Sequence, residues 1–182
     1  EYFPQKPFES LTEKEKVFVT EALVQKGRIS EKFQPFSDLY LQFLVEEVKP
    51  FIDKTYSTRK DQANTFIAGS SMGGLISLYA ICEYPDVFGG AGVFSPSLQI
   101  GKDVYAMAES FTTTSMPAFY FYTGSKESAD AVANVQKMSD ILQKKQRYII
   151  RTVINPLGQH NETYWRQEFK DFYRWVVNNL KM

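Results

Sequence analysis

The sequence predicts an α/β fold, with a mostly parallel sheet carrying helices on both faces. Three observations predict it. Four short apolar runs are each bounded by turn residues, as buried strands are: "NTFIAG" (64–69), "GGAGVFS" (89–95), "PAFYFYTG" (117–124) and "RYIIRTVIN" (147–155). Segments with helical spacing separate these runs, and such alternation favours parallel strands joined by crossover helices. A glycine-rich pentapeptide, "GSSMG" (69–73), lies where the first run gives way to a helix.

The elements follow in order. "SLTEKEKVFVTEALVQKG" (10–27) reads as a helix that Ser10 or Thr12 can cap and Gly27 can end. "SDLYLQFLVEEVKPFIDKTY" (37–56) places Tyr40, Leu44, Val48, Phe51 and Ile52 on one helical face, with Ser37 or Asp38 as the cap. Apolar spacing continues past Pro50, so the proline is expected to bend this helix rather than end it. "GGLISLYAICEYP" (73–85) is a helix stopped by Pro85, and "SADAVANVQKMSDILQKKQ" (128–146) one capped near Ser128. In the last, "NETYWRQEFKDFYRWVVNNL" (161–180), Asn161 caps a helix with Tyr164, Phe169, Phe172, Val176 and Leu180 mostly on one face.

Bulk composition excludes several function classes. The chain of 182 residues is one domain by length. Its 21 basic and 21 acidic residues cancel, so the sequence supplies no basic field for nucleic acid or an anionic membrane. No apolar run reaches the roughly 20 residues of a membrane span. The single cysteine, Cys82, sits in an apolar run and reads as a small core residue. No Cys/His cluster suggests a metal, no phosphate loop is present, and no cofactor is implied. The amino-terminal residues are not informative about compartment.

The chemistry gathers around the pentapeptide. Gly69-Ser70-Ser71-Met72-Gly73 fits G-x-S-x-G, a strand-to-helix turn that projects its central serine. A helix that starts there turns its free backbone N–H groups toward the serine, so the Met72 N–H is placed to donate to an oxyanion. A serine hydroxyl needs a base, and the base needs an orienting acid. His160, the single histidine, lies between the last strand and the last helix, at the sheet edge where Ser71 is expected. The acid is expected just past the third strand, where "YFYTGSKESAD" offers Glu127 and Asp130. Glu127 comes directly off the strand, whereas Asp130 is placed to join the first turn of the next helix, so Glu127 is the favoured acid. Ser95 and Trp165 are candidate substrate-binding residues; a strand-ending turn explains Ser95 equally simply, and helix packing is the commoner role for an aromatic residue placed like Trp165.

Together "IAGSSMGGLISLYAICEYPDVFGGAGVFSPS", "FYTGSKES" and "GQHNETYWRQEF" resemble the Putative esterase family of α/β-hydrolases. Feruloyl and acetyl esterases, siderophore esterases and S-formylglutathione hydrolases are similar to it. The resemblance covers residues 37–182. It implies an α/β-hydrolase fold, with Ser71 as nucleophile, Glu127 as acid and His160 as base. It also implies strands upstream of "EYFP" and a second oxyanion donor from one of their loops. The chain is therefore expected to be a single α/β-hydrolase domain over 1–182, lacking its N-terminal strands, with 5–36 as an insertion or lid-like segment. The implied activity is hydrolysis of a carboxylic ester through an acyl-enzyme, on a small-molecule, siderophore or carbohydrate-linked substrate. An acyltransferase with the same triad and a non-catalytic binding module on a hydrolase scaffold are the rival readings. The sheet edge that missing strands would leave bare is a reason to consider a homo-oligomer.

Overall fold

The four apolar runs become four strands, all parallel and in the order β1-β2-β3-β4. A computed structural model describes residues 2–25, 27, 33–100, 103–145 and 147–179. The strands are β1 (Phe66–Ser70), β2 (Gly90–Phe94), β3 (Ala118–Gly124) and β4 (Ile149–Asn155). Because side chains alternate along a strand, β3 sends Phe119 and Phe121 to one face and Tyr120 and Tyr122 to the other. The first face packs under helices α5 (Met72–Glu83) and α7 (Ala131–Gln143), with Leu75, Leu78, Met138 and Leu142 buried there. The second packs under α8 (Glu162–Asn179), where Phe94, Tyr120 and Tyr122 meet Phe172 and Val176. Both faces are thus covered, which explains the near-continuous apolar character of β2 and β3. Among the described residues β1 pairs with β2 alone.

The amino-terminal region is helical and joins the same core. Helices α1 (Gln5–Glu9) and α2 (Glu13–Gln25) flank a turn at Thr12. Thr12 and Glu15 exchange side-chain-to-backbone hydrogen bonds of 3.0 and 3.4 Å, a capping box that fixes the start of α2. Phe8, Val19 and Leu23 enter the main apolar cluster together with Phe3. Gly27, in the left-handed region at φ +63°, donates its N–H to the Val24 carbonyl after α2.

Several sequence expectations are corrected. The helix over 37–56 is not uniform: α3 (Ser37–Phe43) and α4 (Lys49–Thr55) are joined by a π-helical turn at Leu44–Val48. Pro50 has no N–H to donate, and its ring would crowd the carbonyl four residues back. One wider turn relieves both problems without ending the helix. Neither Ser37 nor Asp38 caps α3. Ser37 Oγ instead accepts the Gln5 N–H at 2.8 Å, and the Asp38 carboxylate accepts the Tyr79 hydroxyl at 2.6 Å. These bonds tie α1 and α5 to α3. A helix with no counterpart in the sequence reading, α6 (Asp103–Ser110), buries Val104, Tyr105 and Ala108 between β2 and β3 in the chain. Helix α7 starts at Ala131 with no side-chain cap, rather than near Ser128. On α8, Asn161 Oδ1 accepts the Thr163 N–H at 3.1 Å as the expected cap, but Phe169 is 50% exposed. Leu180 lies outside the described residues. Cys82 packs against the main cluster, and burial pushes its thiol up to about 12, so it stays protonated.

Candidate active site

Ser71 stands at the junction of β1 and α5 with φ 57° and ψ −118°, a backbone conformation that side chains disfavour. The turn is held by the Ser71 N–H, which donates to the Phe94 carbonyl at 2.9 Å, and by the Ser71 carbonyl, which accepts the Ser97 N–H at 3.2 Å. Helix α5 opens at Met72, so the Met72 N–H is among those with no partner four residues back. The glycines are not equivalent. A Cβ on Gly69 would lie 2.5 Å from the Gly73 carbonyl group, whereas one on Gly73 would meet nothing within 4 Å. The first glycine lets strand and helix approach, and the last is not needed to make room for its own side chain. Gly69→Ala is expected to lower stability by about 1–3 kcal/mol through this overlap, and Gly73→Ala to stay within about 1 kcal/mol of the parent. Thermal unfolding of the two variants checks the difference.

The loops after β3 and β4 are stitched together. Ser125 N–H donates to the Asn155 carbonyl at 2.8 Å, and Lys126 N–H to the Gly158 carbonyl at 2.9 Å. Gly124 and Gly158 lie back to back, so close that a Cβ on Gly124 would sit 2.2 Å from Gly158 backbone. This contact fixes where Glu127 and His160 stand relative to each other. His160 Nδ1 is 2.9 Å from Glu127 Oε2, and His160 Nε2 is 3.0 Å from Ser71 Oγ. Three side chains from the ends of β1, β3 and β4 therefore form one hydrogen-bonded row. The Glu127 side chain is 4% exposed and that of His160 39%. Burial pushes the Glu127 carboxyl up, but hydrogen bonds from His160, Ser95 and the Gly124 N–H outweigh it and hold the group below its ordinary range. Asp130 sits at the start of α7, outside the row.

Residues 24–176 match the family model described as "Putative esterase". The chain belongs to that family. This member of the Putative esterase family is 26% identical over 137 residues to the uncharacterised protein YjcH of Bacillus subtilis (strain 168), a match spanning 70% of this chain and 55% of the relative. Its fold is that of solved α/β-hydrolase esterases. Enterochelin esterase from Shigella flexneri superposes with a TM-score of 0.67 at 20% identity, covering 79% of this chain and 38% of that one. A ferulic acid esterase superposes with a TM-score of 0.62 at 16% identity, covering 92% of this chain and 79% of that one. The chain thus spans little more than a third of the length of the enterochelin esterase and about half that of the Bacillus relative.

Other polar groups of this family member converge on the row. Ser95, a non-glycine residue at φ 42°, is 3% exposed. Its hydroxyl donates to Glu127 Oε1 at 2.6 Å and accepts the Trp165 indole N–H at 2.8 Å. The two residues expected from sequence at the substrate site thus spend these polar groups on each other and on Glu127. The Ser97 hydroxyl lies 3.3 Å from Ser71 Oγ. A cavity of about 430 Å³ reaches Ser71 and Met72 and is walled by Tyr2 and Tyr40, whose rings meet edge-on at 5.1 Å. Tyr2 had no sequence signal for this position, because only the packing of the amino-terminal segment brings it there. A second cavity, of about 360 Å³, adjoins His160 and Glu127 and is lined by Gln99, Thr123 and Asn134. A third, about 730 Å³, runs beside β1 under the π turn and includes no member of the row.

Proposed function

We propose that this chain carries the catalytic centre of a serine carboxylesterase, with Ser71 as nucleophile, His160 as base and Glu127 as acid. The observation that supports it is the continuous hydrogen-bonded row from Ser71 Oγ through His160 to Glu127. Family membership points to the same chemistry. Ser71 Oγ attacks the acyl carbon as His160 Nε2 takes its proton, and the Met72 N–H donates to the oxyanion. His160 returns the proton to the departing alcohol. Water then attacks the acyl-enzyme with His160 again as base, and Ser71 is regenerated. Glu127 holds the imidazole with its proton on Nδ1 and stabilises the imidazolium. Substrates fitting the reading are small esters whose acyl or alcohol group enters the Tyr2–Tyr40 cavity, siderophore and carbohydrate-linked esters among them.

A fluorophosphonate probe tests the reading. Ser71 is expected to be the labelled residue in the folded full-length protein, as read by peptide mass spectrometry, and labelling is expected to fall away on denaturation. A folded protein that hydrolyses esters while Ser71 stays unlabelled would sink the proposal.

A further inference from the structure

We propose that Trp165 and Ser95 form a brace that positions Glu127 against His160, so both are positioning residues rather than substrate contacts. The inference rests on reading Ser71, His160 and Glu127 as the catalytic row. Its first support is hydrogen-bond polarity. An indole N–H can only donate, and an ionised carboxylate can only accept. The Ser95 hydroxyl lies between one of each, at 2.8 Å from Trp165 Nε1 and 2.6 Å from Glu127 Oε1. Its proton therefore has one direction, toward Glu127. The Gly124 N–H adds a second donor to Oε1 at 2.6 Å. With Oε1 so occupied, the carboxylate turns Oε2 to His160.

The second support is the placement of Trp165. Its ring stands edge-on to the His160 imidazole, with centroids 4.9 Å apart and planes at 87°. One side chain thus touches the base with its ring and reaches the acid through Ser95. Because Trp165 lies on the first turn of α8, docking of that helix sets acid and base in register. The third support is backbone strain. Ser95 keeps the left-handed conformation at φ 42° although it is not glycine, and its N–H is held by the Tyr122 carbonyl at 2.7 Å. Strain of this kind persists where surrounding structure over-determines it. Here it aims a hydroxyl that glycine would lack.

The test uses p-nitrophenyl acetate and the full-length enzyme. Trp165→Phe keeps an aromatic ring beside His160 and removes the N–H. Ser95→Ala removes the hydroxyl. Ser95→Ala is expected to lower kcat by about 10- to 100-fold, the loss typical of a hydrogen bond to a charged group, and Trp165→Phe by about 2- to 10-fold, that of a neutral one, each with KM within about twofold of the parent. The double variant is expected to be no slower than Ser95→Ala alone, because Trp165 acts on Glu127 through Ser95. A rise in KM at unchanged kcat would overturn the brace in favour of substrate contact, and multiplicative losses would overturn the shared route. Should Ser95→Ala not fold, Ser95→Gly suits the left-handed backbone and also lacks the hydroxyl. Ser71→Ala separates the two proposals. Turnover that survives Ser71→Ala refutes the catalytic row, whereas turnover lost there but intact in both brace variants refutes the brace alone.

Discussion

Glu127→Gln is expected to lower kcat for a carboxylic ester by about 10⁴-fold while leaving the fold intact. The reason lies in how the carboxylate is hydrogen-bonded. Oε1 accepts from Ser95 Oγ and from the Gly124 N–H, both at 2.6 Å. A glutamine must place its amide oxygen there, since an NH₂ group would face two donors. The NH₂ group then points at His160 Nδ1, which has to accept instead of donate. The imidazole proton moves to Nε2, the atom 3.0 Å from Ser71 Oγ. The serine hydroxyl loses its proton acceptor, and the base is in the wrong tautomer. Steady-state kinetics beside a circular-dichroism melt check both halves of the expectation. A variant that keeps more than a tenth of parental kcat would mean that the acid lies elsewhere, with Asp130 the next candidate.

Ser71→Ala is expected to remove about 10⁴- to 10⁶-fold of kcat. Alanine keeps the backbone strain at φ 57° and the N–H bond to the Phe94 carbonyl, so the turn itself survives. What is lost is the atom proposed to form the acyl-enzyme. The nearby Ser97 hydroxyl, 3.3 Å from Ser71 Oγ, is not hydrogen-bonded to His160 and is not expected to substitute. Burst kinetics with a chromogenic ester are the clearest measurement, because the burst should vanish together with turnover. Residual hydrolysis within about tenfold of the parent would refute nucleophilic catalysis by this residue.

Much of this arrangement is legible in the sequence because alternation of strands and helices has a directional consequence. In a parallel sheet every strand ends at the same edge, so loops after "NTFIAG", "PAFYFYTG" and "RYIIRTVIN" meet without further information. The only histidine then has one place to go. Residues whose partners lie far off in sequence are harder to read. Ser95 bonds Glu127 across 32 residues and Trp165 across 70, and nothing adjacent to Ser95 signals either bond. Helix α6 is too short for its spacing to stand out, and it is specified by packing against α7. The π turn before Pro50 escapes for a different reason. Apolar spacing tolerates one widened turn, so the pattern shows continuity and hides the change of winding.

The strand order makes the hydrogen-bonded row depend on the whole sheet being assembled. Ser71 leaves β1 and His160 follows β4, at opposite ends of the strand order, and the bond between them joins residues 89 apart. In the sheet, β2 and β3 stand between the two strands that carry these residues. A chain with β4 undocked would carry Ser71 without His160 beside it. Such long-range closure is slow relative to local helix formation. On the proposed reading, turnover is therefore expected only once all four strands are in place.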